Sequence, residues 1–591
     1  MTDGTGRWGI DRRSKTGAYA VPAIVALFAV AAAAALAASG QPFGGDVAVR
    51  QAVLDHSGEP VRQVALVLTQ LGSGAVLFPG LLLLALVKRT WITAALPLVL
   101  AAGQVAETVL LSVLPGTSDG LLTWSGMSSG RTATAVLGWG MVALALGVSP
   151  RRSLVAGLAM GLLVGSTRLL LDLHWLSDVL VAGIFGAALL GLWMVVQQRI
   201  PRAPLPLAGA VEWFTGSRWA WLLPAAASLV AVVPPLLEPA SRRMGDLAVY
   251  IGSAGVVGAG GDVYGYRTEA GLPFTYPPFA ALVAEPLARI PLPLVQILWT
   301  AATLAAAVGV AAVALRPVVA RIGLPATSAL LLMSTPVRSH VRFGQVGLFL
   351  VLLVAADLLR RSSRQGWGVG LASAIKLTPA VYLLWLAVAG RWSALRTGIA
   401  WAAGASVAGV VLLWQSSPTW LSSALWDSSR FGRNDIPGNQ SVRGMLLRAT
   451  DSDAVAERAW LVLAVVLLLI GLAGARRLEL SGNRLGAVGI LAATSVAVSP
   501  ISWQHHLVWL TLPLAALIAA ERTRLGIAWA VLLIAPVTTL GTLIDVPVLG
   551  ALVVNTCGLT AVAAVLLLPR LLGRPREEVE PRPLWTAATS G

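Results

Sequence analysis

Four sets of residues carry side chains able to do chemistry. Arg168, His174 and Asp178 are spaced R-x5-H-x3-D. This places a nitrogen nucleophile beside a carboxylate to orient it and a cation to hold an anion. Asp246 stands in Gly245-Asp246-Leu247-Ala248-Val249-Tyr250, ahead of Gly261-Asp262-Val263-Tyr264 and Leu272-Pro273-Phe274-Thr275-Tyr276-Pro277-Pro278. A carboxylate there can take a proton from an attacking hydroxyl, although a lone Asp more often caps a helix. Lys376 lies inside an apolar run, in Ala374-Ile375-Lys376-Leu377-Thr378-Pro379. It is a cation for a phosphate, or a side chain that snorkels to water. His505 and His506 follow Trp503. Imidazoles change charge near neutral pH, and adjacent side chains diverge, so one of the two faces any shared site. Between these sets lie Gly438-Asn439-Gln440-Ser441 and the arginines 430, 433, 443 and 448, whose forked donors suit phosphate.

The elements that position these residues belong to a membrane. Of the 591 residues 57% are hydrophobic and 12% charged, against ~25% charged in soluble domains. Several apolar runs exceed the ~20 residues that cross a bilayer. The run from Ala18 to Ala38 follows Arg7, Arg12, Arg13 and Lys15. It is longer than the roughly 7–15 apolar residues of a signal peptide and reads as a retained first span. The net charge of +16 collects in short clusters between apolar runs, the pattern of cytoplasmic loops rather than of a nucleic-acid surface. Those clusters, from Arg12–Lys15 to Arg570–Arg576, put both termini in the cytoplasm. Segments 40–62, 114–131, 172–177, 238–290, 415–457 and 499–506 then face outward, bringing His174, Asp246, the arginines and the His pair to one side. Gly366 to Gly390 is an exception: it holds about one span, with Lys376 and Pro379 inside, and reads as a broken or re-entrant helix. Cys557 is the single cysteine, so there is no intrachain disulfide and no cysteine metal site. No dense carboxylate cluster of the kind hard cations need is present, and no cofactor is expected.

A Pro- and Gly-rich linker, 199–217, separates residues 1–198, with about six spans, from 218–570, with about ten or eleven. A tail at 571–591 is expected to be disordered in the cytoplasm. Residues 17–198 resemble the type 2 phosphatidic acid phosphatase family through its third motif, here Arg168, His174 and Asp178. In that family the His attacks phosphorus, the Asp orients it and the Arg holds phosphate oxygens. The other motifs depart from the pattern. Pro-Ser-Gly-His reads Ser128-Ser129-Gly130-Arg131 here, the first-motif Lys is Glu107, and Leu114 precedes Pro115 where an Arg is expected. Arginine cannot protonate a leaving alkoxide, and general acid catalysis is worth ~10²–10⁴ in rate. The domain is therefore expected to be silent in hydrolysis. Ser129, Arg131, Arg168, His174 and Asp178 remain as residues able to hold a lipid phosphate.

In residues 218–570 five words occur in order: D-L-x-V-Y, F-T-Y-P-P, A-I-K-L-T-P, G-N-Q-S and S-P-I-S-W-Q-H-H. Together they resemble the bacterial polyprenyl-phosphomannose-dependent mannosyltransferases, glycosyltransferase family 87, of the GT-C fold. Gly344-Gln345-Val346-Gly347 departs by one residue from G-Q-V-N, with the loss of one polar contact. The resemblance implies an all-α polytopic membrane protein, a six-helix phosphatase-like bundle fused to a GT-C transferase. It implies a hexose, usually mannose, taken from a polyprenyl monophosphate at the outer face of the plasma membrane, with inversion and without nucleotide sugar or metal. The acceptor would be a lipid or lipoglycan such as a phosphatidylinositol mannoside. Asp246, His505 and His506 are then the catalytic candidates. Lys376, Tyr250, Tyr276, Arg430, Arg433, Asn439 and Gln440 are the candidates for holding donor or acceptor. Two other readings compete. Transport of lipid-linked sugars is disfavoured by the lack of a repeat between the halves, and lipid phosphate hydrolysis by Glu107, Leu114 and Arg131.

Overall fold

The computed structural model describes residues 44–113, 130–200 and 217–573, apart from short gaps at 57, 89, 361–363, 426–429, 431–432, 451, 536 and 543–546. The run Ala18 to Ala38, Ser129, most of the linker and nearly all of the tail lie outside the described residues. The fold is helical, with no strand among the described residues; an isolated bridge joins Arg267 and Pro273.

The N-terminal part comprises α1 (Gly44–His56), α2 (Glu59–Leu68), α3 (Gly74–Lys88), α4 (Trp91–Val113), α5 (Gly130–Ala145), α6 (Pro150–Leu170) and α7 (Leu176–Val196). Pro150 opens α6, where its missing N–H costs nothing. Gly157, Gly161 and Gly165, four apart, form one face of α6. A Cβ at Gly157 would lie 2.5 Å from the Val136 carbonyl, one at Gly161 would strike the Val136 side chain, and one at Gly165 the Val179 side chain. Small residues let backbones approach, which is how helices associate where lipid removes the hydrophobic drive.

The second part comprises α8 (Leu222–Leu237), α9 (Gly245–Gly258), α10 (Pro278–Ala288), α11 (Leu292–Val313), α12 (Arg316–Met333), α13 (Thr335–Phe343), α14 (Gly347–Leu359), α15 (Trp367–Ile375), α16 (Ala380–Val388), α17 (Trp392–Leu412), α18 (Val442–Ala449), α19 (Asp453–Leu480), α20 (Arg484–Val498), α21 (Thr511–Ala519), α22 (Thr523–Ile534), α23 (Val537–Gly541), α24 (Pro547–Val554) and α25 (Thr556–Leu571). Helix α8 packs on both α4 and α12, so the two parts share one apolar core that includes Leu100, Leu223 and Ala227.

Among the described residues, five helices are long and apolar enough to cross a membrane (α6, α7, α11, α17 and α19). The count reaches seven if α12–α13, bent by 66°, and α24–α25, bent by 70°, each form one span. The sequence suggests more because many apolar runs are broken into shorter helices. Pro336 opens α13 after the break at Ser334. Lys376 to Pro379 splits Gly366–Gly390 into α15 and α16, nine residues each, which is the broken helix expected there. Between the apolar helices α8 and α11, α9 and α10 pack as a hairpin. They enclose a small core of their own that holds Leu247, Tyr250, Phe274, Tyr276 and Trp420.

Candidate active site

The site begins at the start of α9. Met244 caps this helix in the left-handed conformation, φ 56°, a strained arrangement for a residue with a Cβ. Asp246 follows in the first turn, where the helix dipole favours a carboxylate. Four residues on, Tyr250 shares its face. The end of α13 comes close here. Gly344 turns the chain with φ 70°, and a Cβ on it would lie 2.5 Å from Leu247 Cβ. This approach delivers Gln345, which is buried and hydrogen-bonds Asp246. Its Oε1 lies 3.2 Å from the Tyr250 hydroxyl and 3.3 Å from that of Tyr276. The Tyr250 hydroxyl donates to that of Tyr276 at 2.8 Å, with the rings edge to face at 5.1 Å. Burial lifts the Asp246 carboxyl above the ordinary carboxylate range, while Gln345 and the charge of Lys376 pull it partly back.

Lys376 leaves α15 in extended conformation, φ −148° and ψ 135°. Its Nζ lies 2.7 Å from His506 Nε2 and 5.3 Å from the centre of the Tyr276 ring. His506 Nδ1 accepts the Trp503 backbone N–H at 3.0 Å. The proton of the neutral ring therefore sits on Nε2, facing the amine. The amine and the imidazole are thus in direct hydrogen-bond contact, and the remaining N–H groups of the amine can serve an anionic oxygen beside the pair. His505 points elsewhere. It is buried, edge-on to His506 at 4.5 Å and to His340 at 5.8 Å. The His340 Nδ1–H donates to the Pro336 carbonyl at 2.8 Å, and its Nε2 has no partner. A Cβ at Gly347 would lie 2.9 Å from that nitrogen, so the Gly in place of Asn in G-Q-V-N leaves His340 its space. Three of the five histidines of the chain thus meet beside Lys376.

Six of the residues singled out in the sequence come together here: Asp246, Tyr250, Tyr276, Lys376, His505 and His506. The others do not join them. Asn439 is fully buried, and its Oδ1 accepts from the Ser441 hydroxyl at 2.9 Å and the Ser502 N–H at 2.9 Å. Gln440 Nε2 donates to the carbonyls of Pro437 and Val554, and its Oε1 accepts the Gly558 N–H at 3.0 Å. These two side chains hold the G-N-Q-S loop to the S-P-I-S-W loop and to α25, and so fix the His pair from behind. The outward arginines also have protein partners. Arg430 donates to the Tyr264 carbonyl at 2.7 Å, Arg433 pairs with Asp435 at 2.6 Å, Arg443 with Glu457 at 2.7 Å, and Arg448 donates to the Asn439 carbonyl at 2.9 Å. Sequence reasoning passed over Gln345 and His340. Gln345 stood inside a recognised word, but His340 is a lone histidine on a helix and gave no signal. Among the described residues no group of three His, Cys, Asp or Glu could hold a metal ion.

In the N-terminal part, Arg168 Nη2 lies 3.4 Å from His174 Nε2 and Asp178 lies 3.5 Å from His174 Nδ1. Asp178 also accepts the Trp175 N–H at 3.2 Å. Arg131 starts α5 close enough to raise the local positive charge. Burial lowers the His174 pKa, opposed by Asp178 and assisted by Arg168. Arg168, His174 and Asp178 of the third motif are thus assembled, with Arg131 near enough to act on Arg168 and His174 through its charge.

The glycosyltransferase family 87 model matches residues 274–500, and the PAP2 superfamily model residues 112–202. Asp246 and the His pair fall outside the first of these. The chain is 34% identical over 291 residues to a polyprenol-phosphate-mannose-dependent α-(1-2)-phosphatidylinositol pentamannoside mannosyltransferase of Mycolicibacterium smegmatis, covering 46% of this chain and 69% of that one. It is 30% identical over 269 residues to a polyprenol-phosphate-mannose-dependent α-(1-2)-phosphatidylinositol mannoside mannosyltransferase of Mycobacterium tuberculosis, covering 42% and 63%. No solved structure matches the chain significantly.

Proposed function

Because the chain belongs to glycosyltransferase family 87, we propose that it is a membrane mannosyltransferase that moves mannose from a polyprenyl monophosphate to a lipid or lipoglycan hydroxyl on the extracytoplasmic face, with inversion. The observation that carries this reading is the placement of a carboxylate and a Lys–His pair around one tyrosine cluster. Asp246 shares Gln345 with Tyr250 and Tyr276, and Lys376 with His506 lies over the Tyr276 ring.

The chemistry follows from these positions. Lys376 and His506 hold the donor phosphate and stabilise charge as the bond from the anomeric carbon to phosphate oxygen breaks. The leaving group departs as polyprenyl monophosphate with the bonding electrons. The acceptor hydroxyl attacks the anomeric carbon from the opposite side and gives its proton to Asp246. Attack opposite the leaving group inverts that centre. Tyr250, Tyr276 and Gln345 fix the carboxylate and border the sugar. The outer face rests on the positions of the basic clusters in the sequence.

The test is purified protein with labelled polyprenyl-phosphomannose and a lipid extract, beside labelled GDP-mannose. Label should reach lipid from the polyprenyl donor alone, with the anomeric configuration of the product opposite to that of the donor. Movement of the donor across a vesicle without transfer would favour a transporter, and phosphate release a phosphatase.

A further inference from the structure

A cavity of about 360 Å³ lies behind the His cluster, between α13, the turn Gln504–Leu510, α22, α23 and α25. Its lining combines the polar Arg338, Gln504 and Thr538 with the apolar Leu507, Leu533 and Cys557. Gln504 donates to the Thr538 hydroxyl at 2.7 Å. Arg338 has no such partner. Its buried Nε makes no hydrogen bond, and no carboxylate pairs with it among the described residues.

Three physical points decide what the cavity is for. A guanidinium stays protonated, and Arg338 is half-buried with its Nε shut off from water and without an acceptor. The cavity therefore offers an anion a cation with a free buried donor. Arg338 and His340 are two residues apart on α13, and two steps of about 100° put them on nearly opposite sides of the helix. His340 faces His505 and the Lys376 cluster, so Arg338 faces away and serves a different anion from the one held there. Finally, a lining that combines a forked cation with aliphatic side chains matches a phosphate joined to a hydrocarbon chain. We propose that this cavity binds the phosphodiester of an anionic lipid acceptor. The phosphodiester sits at Arg338 and the adjoining chain lies along Leu507 and Leu533. The assignment to the acceptor rests on the proposed function, in which Lys376 and His506 already take the donor phosphate.

Binding, read apart from catalysis, tests this. Native mass spectrometry of the full-length protein in detergent measures retention of phosphatidylinositol, of diacylglycerol with the same chains, and of polyprenyl monophosphate. Inorganic phosphate serves as competitor. The wild type should retain phosphatidylinositol over diacylglycerol, and millimolar phosphate should not displace it. Arg338→Gln should weaken phosphatidylinositol by about ten-fold or more, the loss of a charged hydrogen bond. It should leave polyprenyl monophosphate unchanged, which also shows that the variant is folded. Arg338→Lys should recover part of the binding, since it keeps the charge without the fork. Equal retention of phosphatidylinositol and diacylglycerol would overturn the proposal. Displacement by inorganic phosphate would reduce the site to one for a free ion, and loss of both phospholipids in Arg338→Gln would merge it with the donor site; either result also overturns it. A protein that binds as described but transfers no mannose would refute the enzymatic reading while leaving the Arg338 site standing.

Discussion

Asp246 is the one carboxylate of the cluster, and in the proposed reaction it would take the proton of the acceptor hydroxyl. Burial raises the Asp246 pKa while the hydrogen bond from Gln345 lowers it. A base must be ionised to act, so transfer should fall as pH drops through a pKa above the ordinary carboxylate range. Gln345→Leu removes the lowering interaction and should move the acid limb of kcat/KM to higher pH. A limb that stays in place or moves down would separate Gln345 from the base. The two histidines are not equivalent either. His506 meets Lys376, whereas His505 packs among rings. His506→Ala should lower kcat about 100-fold, as expected for removal of a group that stabilises the leaving phosphate, with a milder effect at His505→Ala. Equal and small losses at both would make them structural residues.

Much of the element arrangement was legible from local chemistry. Lys376 beside Pro379 announced a broken helix because proline and a charge both disfavour an intact span, and the break is there. What stayed hidden depends on distant segments folding against one another. The buried Asn439 and Gln440 looked like polar groups awaiting a sugar. Only the fold shows that they face the carbonyls and amides of loops some 60 and 115 residues away in sequence. His340 entered the site because α13 ends against α9, a contact that no spacing encodes. Two substitutions follow at this scale. Asn439→Ala leaves buried N–H groups of two loops without their acceptor and should cost about 2 kcal/mol or more of stability. It should be seen as a lower melting temperature in detergent together with lower activity; an unchanged melting temperature would refute the bracing role. Gly344→Ala combines a left-handed φ of 70° with a Cβ 2.5 Å from Leu247 Cβ. It should displace α13 from α9 and reduce transfer, and full activity would show that the approach of these helices does not position Gln345.

The whole chain joins two units with different chemical fates across one shared core. In the N-terminal unit His174, Asp178 and Arg168 are in place, but Arg131 cannot donate a proton to a leaving group. His174→Ala should therefore leave mannosyl transfer unchanged, and the purified protein should release no phosphate from phosphatidic acid or polyprenyl phosphate. Turnover that disappears in His174→Ala would show that another residue supplies the acid. Arg433, exposed on the same outward segment as Asn439, should also label from the outside in intact cells when changed to Cys in a Cys557→Ser background, and labelling only in inverted vesicles would reverse the orientation. The central claim is that Asp246 is the base for transfer from a polyprenyl-linked sugar. It is tested most directly by single-turnover transfer from labelled polyprenyl-phosphomannose in wild type and Asp246→Asn, with donor binding measured on the same samples. Transfer should fall by ~10²-fold or more while donor binding and melting temperature stay near wild type; transfer above about a tenth of the wild-type rate would contradict the claim.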